Sequence, residues 1–150
     1  INKGGCNLSL AGLKTDVLRK SKNIKSNQDK YNLAASFQET INKILKKKTE
    51  IAMREFNKEI SSKTSKAFVV VGGVAANESI RNSLNKISKK MNFKCIFPSK
   101  EFCGDNAAMI AWAGIQRFKK KIFEKENLIV KSRWPLDKNA PFLKGPGIKL

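Results

Sequence analysis

Apolar positions along the chain fall into two periods. From Ser9 to Arg19, Leu10, Leu13 and Val17 recur at helical spacing, and Ser9 stands where a helix cap is expected. Lys20 to Lys30 is polar and reads as a loop. A long helical stripe follows, formed by Leu33, Phe37, Ile41, Ile44, Leu45, Ala52 and Phe56. Lys48 interrupts it. The pattern predicts a helix from about Asp29 to Ile60, with a break expected near the lysine run, ended by Ser61-Ser62-Lys63-Thr64. Phe68 to Val71 is apolar and β-branched, which predicts a buried strand. Ile80, Leu84, Ile87 and Met91 mark one more helix. Phe93 to Phe97 is a second strand, stopped by Pro98. Gly104-Asp105 opens a last helix with Ala108, Met109, Trp112, Ile115 and Phe118 on its apolar side. Beyond about Phe123 the pattern fails, and Pro135, Pro141, Gly145, Pro146 and Gly147 make residues 124–150 read as a loop-like tail.

The strand–helix–strand–helix order predicts an α/β protein in which two parallel strands share a crossover helix. Ligands of open α/β sheets bind beyond the carboxyl ends of the strands. Two such ends are expected on one side here. The first is Gly72-Gly73, and the second runs from Pro98 to Asp105.

Each feature at these ends has two readings. Gly72 and Gly73 serve either a tight strand-to-helix turn or the close approach of a ligand to bare backbone, beside the N–H groups that open the next helix. They match neither GxGxxG nor a Walker loop. Asn77 either caps the helix or offers its amide to a ribose or base edge. Asp105 either caps the last helix or ligates a metal, with the remaining ligands supplied from outside the chain. Lys14 reads as a solvated lysine. Arg133-Trp134-Pro135 either stacks a base or tucks one Trp against the domain. Cys103 has nothing near it in sequence to activate it.

Composition narrows the chemistry. The chain has 150 residues, 41% of them hydrophobic, enough for one domain with a core. No apolar run approaches the roughly 20 residues that span a bilayer. Three cysteines without CxxC spacing argue against a disulfide framework or a structural zinc site, and a reducing cytoplasm fits them best. Histidine is absent, so no Ser-His-Asp, Cys-His or HExxH mechanism runs on this chain alone. The net charge of +19 fits a polyanionic partner such as nucleic acid. It equally fits a codon bias toward lysine, because 26 of the 31 basic residues are Lys and the excess is spread along both halves.

Four blocks in order carry a resemblance. SLAGLKT (Ser9–Thr15), VVVGGVAANESIR (Val69–Arg81), FPSKEFCGDNAAMIAWAG (Phe97–Gly114) and RWPLD (Arg133–Asp137) resemble the C-terminal part of the TsaD family of tRNA N6-adenosine threonylcarbamoyltransferases. The resemblance implies that residues 1–123 form the C-terminal lobe of an actin-like, Hsp70/sugar-kinase (ASKHA) fold, with the N-terminal lobe outside this chain. It implies that Gly72, Gly73 and Asn77 bind the adenylate of threonylcarbamoyl-AMP or an ATP-type nucleotide. It also implies that Asp105 ligates an active-site Fe2+ or Zn2+. The family's other metal ligands are two histidines of an HxxxH motif, which this chain lacks. The implied substrate is the tRNA adenosine 3′ of the anticodon, and the implied partners are proteins of the TsaB and TsaE type. On this reading the chain by itself binds metal poorly and transfers nothing. The competing expectation is a non-catalytic basic module that binds RNA or a nucleotide.

Overall fold

A computed structural model describes residues 5–60 and 65–123. The chain divides into two compact units, one ending at Asn106 and the other beginning at Ala107.

The first unit opens with helix α1 (Ala11–Ser21). Leu10 stands at its cap position and no side chain caps it, so Ser9 does not play the expected role. Helix α2 runs unbroken from Asn27 to Glu59, two residues longer at its start than the apolar stripe predicts. The cause is a capping box. Ser26 Oγ accepts from the Asp29 backbone N–H at 3.1 Å, and the Asp29 carboxylate accepts from the Ser26 N–H at 3.0 Å. No break occurs at the lysine run. Lys46 and Lys47 are exposed, while Lys48 is buried with its Nζ donating to the Gly5 carbonyl at 2.9 Å. A lysine on the apolar stripe is tolerated because its ammonium reaches a carbonyl.

Strand β1 (Ala67–Val69) pairs in parallel with β2 (Lys94–Ile96), in the register Ala67 to Lys94, Phe68 to Cys95 and Val69 to Ile96. Helix α3 (Glu78–Lys90) joins them. The ladder continues at both ends, with Lys94 N–H donating to Lys66 and Val70 N–H donating to Ile96. The sheet is not buried on both faces as its apolar run suggests. Phe68 and Val70 pack against the core, whereas Val69 and Val71 are 57% and 70% exposed.

The core lies between α2, α3 and the inner sheet face. Ile41 of α2 meets Ile80, Leu84 and Ile87 of α3, flanked by Leu13, Leu45, Phe68, Val70, Met91 and Phe97. The α3 positions are those that its period picks out. Burying each such side chain stabilises the fold by about 1.5–3 kcal/mol. Phe56 of α2 meets Phe93 edge-on, ring centres 5.7 Å apart.

The second unit contributes helix α4 (Ala107–Lys119), with Met109, Ile110, Trp112, Ile115 and Phe118 all exposed. The tail expected at 124–150, the Arg133-Trp134-Pro135 stretch and the Ser61–Thr64 stop lie outside the described residues. Among the described residues no helix is long and apolar enough to cross a membrane.

Candidate functional site

Parallel pairing puts the carboxyl ends of β1 and β2 on one side, so the two loops predicted to matter share a rim. Gly72 follows β1 with φ +91° and ψ 171°, a region that is essentially reserved for glycine. Gly73 differs. It carries no positive φ, while a Cβ at either position meets nothing within 4 Å. The chain's own conformation therefore requires the first glycine and not the second. Both leave open space beside the backbone.

A short 3-10 turn, Gly73–Ala76, separates the glycines from α3. Its hydrogen bonds run from Ala75 N–H to the Gly72 carbonyl at 2.9 Å and from Asn77 N–H to the Val74 carbonyl at 3.1 Å. The glycines consequently do not abut the N-terminus of α3, as the simple strand-to-helix reading expects. That terminus is occupied by side chains of the unit. Asn77 Oδ1 accepts the Ile80 N–H at 3.1 Å, and Asn77 Nδ2 donates to Gln38 Oε1 of α2 at 2.8 Å. Beside it, Asn42 donates to Ser79 Oγ at 2.8 Å. Asn77 is thus a helix cap tied to α2. Oδ1 keeps one acceptor site after the cap bond. Glu78 opens α3 and pairs with Lys100 of the second loop at 2.8 Å. The Lys100 hydrogen bond and charge hold the Glu78 carboxyl below its ordinary value.

The second loop runs from Phe97 through a 3-10 turn, Lys100–Phe102, to a buried Cys103. Asp105 lies two residues on and is exposed. Its carboxylate has no hydrogen bond or ion pair among the described residues. The last helix starts at Ala107, so Asn106 rather than Asp105 stands next to its first residue. The Asn106 amide donates to the Gly104 carbonyl at 3.1 Å.

One residue joins the two loops, and the periodicity gave no reason to single it out. Arg81, in the second turn of α3, donates from Nε to the Ala75 carbonyl. From Nη2 it donates to the Pro98 carbonyl at 2.7 Å and to Cys103 Sγ at 3.1 Å. Its guanidinium also stacks 4.9 Å from the centre of the Phe97 ring. Helical side chains lean toward the helix N-terminus, which aims Arg81 back at the turn that precedes α3. The available sequence signal was its type. It is one of five arginines in a chain that otherwise uses lysine, and only a planar fork serves several acceptors at fixed angles.

Among the described residues no three His, Cys, Asp or Glu side chains cluster as a metal site. Asp105 suits one corner of a divalent cation's coordination sphere, being an exposed carboxylate oxygen donor on a loop that is held in place. The described residues do not complete that sphere.

The fold and this rim define a mixed α/β protein with a short parallel sheet and two strand-end loops clamped together. Residues 1–112 match the family model described as TsaD: tRNA N6-adenosine threonylcarbamoyltransferase. The chain belongs to that family. It is 55% identical over 149 residues to the tRNA N6-adenosine threonylcarbamoyltransferase of Pelagibacter ubique (strain HTCC1062), covering 99% of this chain and 42% of that protein. It is 40% identical over 139 residues to the protein of the same name from Rickettsia massiliae (strain Mtu5), covering 91% and 40%. The likeness to the Cereibacter sphaeroides (strain ATCC 17025 / ATH 2.4.3) protein, again of that name, is 38% over 155 residues. The chain spans about two-fifths of the length of these relatives.

Proposed function

We propose that the chain is the adenylate-binding, metal-ligating lobe of a tRNA N6-adenosine threonylcarbamoyltransferase with an actin-like ASKHA fold. The single observation that carries this reading is the shared rim. The open backbone at Gly72 and Gly73 and the exposed carboxylate of Asp105 sit on two loops that Arg81 ties together. The proposed reaction is an acyl transfer. The N6 nitrogen of the adenosine 3′ of the anticodon attacks the carbamoyl carbon of threonylcarbamoyl-AMP. A C–N bond forms, the bond from that carbon to the phosphate oxygen breaks, and AMP leaves with the electron pair while N6 loses a proton.

Each residue has a part that follows from its position. Gly73 leaves room for the adenylate against the backbone. Asn77 presents its remaining acceptor site to the nucleoside while it holds the start of α3. Asp105 holds one coordination position of an Fe2+ or Zn2+ ion, the other ligands coming from the HxxxH segment expected elsewhere in the full-length protein. Bound there, such an ion supplies Lewis-acid polarisation of the carbamoyl carbonyl. The basic surface suits a tRNA partner. Partner proteins of the TsaB and TsaE type and a cytoplasmic setting belong to the same reading.

The test is Asp105→Ala in the full-length polypeptide that carries this chain. Bound metal per molecule and threonylcarbamoyl transfer should both fall sharply, by about 100-fold or more in rate. The melting temperature should hold, because the side chain is exposed and without a partner among the described residues. Unchanged metal content with full transfer would show that Asp105 is not a ligand.

A further inference from the structure

We propose that Arg81 is a positioning residue that locks the glycine turn to the Pro98–Asp105 loop and so sets the spacing between the adenylate wall and Asp105. The proposal rests on the adenylate reading of the rim. It adds a residue that touches neither nucleotide nor metal.

The geometry favours a clamp over an ordinary surface arginine. Its acceptors come from both loops and from neither side alone. Ala75 O belongs to the turn after β1, while Pro98 O and Cys103 Sγ belong to the loop after β2. The two loops are separated in sequence by α3 and β2 and meet through no backbone hydrogen bond among the described residues. The parallel ladder ends at Val70 and Ile96, before either loop begins. Past that point the spacing of the loops depends on side chains. One is the exposed Glu78–Lys100 pair, which solvent screens. The other is the half-buried Arg81 fork, backed by the Phe97 ring. Of the two, the fork is the stiffer, because its hydrogen bonds are charge-assisted and fixed in one plane. Cys103 is buried beneath it, and its thiol leans on the Ser99 carbonyl at 3.5 Å. That contact ties the loop to itself two residues before Asp105.

The experiment compares wild type, Arg81→Met and Arg81→Lys in the full-length polypeptide. Four backbone amides report the clamp by hydrogen exchange: Ala75 and Asn77 in the turn, Phe102 and Cys103 in the loop. In Arg81→Met all four should exchange faster together, by roughly tenfold or more, while the α2 amides stay protected. The dissociation constant for AMP should rise by a similar factor. Lysine keeps the charge but offers a single ammonium, so Arg81→Lys should give intermediate values for both. If Arg81→Met also loosens α2, Arg81→Lys carries the comparison. Acceleration in one loop only, or unchanged AMP affinity with both loops loosened, overturns the proposal. Wild type that binds no AMP sinks the adenylate reading instead, and the exchange data then decide the clamp alone.

Discussion

Adjacent glycines in one turn do different work, and substitution separates them. Gly72→Ala forces a Cβ onto a backbone at φ +91° and should cost about 1–3 kcal/mol in denaturant unfolding, with or without ligand. Gly73→Ala meets open space at an ordinary φ and should leave stability within about 0.5 kcal/mol of wild type. Its cost should fall on adenylate affinity, measured by AMP titration. Equal affinity in Gly73→Ala would remove the reason for bare backbone at that position. Ser88 offers a contrast inside α3. It is fully buried and its hydroxyl finds no partner among the described residues. Ser88→Ala should raise stability by roughly 1 kcal/mol, since it removes an unsatisfied polar group. At this scale the sequence was half legible. The turn and the cap Asn77 could be read from residue type. The role of Arg81 could not, because it depends on carbonyls 6 and 17 residues away in the chain.

Helices α2 and α3 supply the buried core cluster, and α2 shows how local chemistry sets a helix's limits. The Ser26–Asp29 box extends α2 past its apolar stripe. The Ser26 hydroxyl, with the Lys25 and Ser26 backbone amides, holds the Asp29 carboxyl below its ordinary value of 3.8. A carboxyl depressed in the folded state stabilises above that value, and the contribution is lost as pH falls through the lower folded value. Asp29→Asn should therefore flatten the acid limb of the unfolding curve below about pH 4 and leave the neutral limb's shape unchanged. Helix α3 contributes through its buried face. Ile87 is 2% exposed, and Ile87→Ala should cost about 2–5 kcal/mol by thermal or denaturant unfolding. The helical periods were read correctly because 3.6-residue spacing survives tertiary context. The expected break at Lys46-Lys47-Lys48 was not, since the rescue of Lys48 comes from Gly5, 43 residues away. The strand at Phe68–Val71 was read as buried. An apolar run cannot say how many faces are covered, and here Val69 and Val71 stay exposed.

For the whole molecule, the order of elements was legible and so was the side on which both loops lie. Parallel pairing follows from strand–helix–strand order, and the rim follows from parallel pairing. The meaning of the rim was not legible from periodicity or charge. A surplus of +19 fits tRNA and codon bias alike. Four ordered sequence blocks carried the family, and the match over residues 1–112 bears that out. The proposed activity then concerns a longer protein, because the chain spans about two-fifths of its relatives. The most direct measurement supplies threonylcarbamoyl-AMP and unmodified tRNA to the full-length polypeptide and follows AMP release together with the mass of the nucleoside 3′ of the anticodon. One threonylcarbamoyl group on N6 is expected for each AMP released. Tight binding of tRNA or adenylate with no modified nucleoside and no AMP would contradict it, and would leave the rim as a binding surface without transfer.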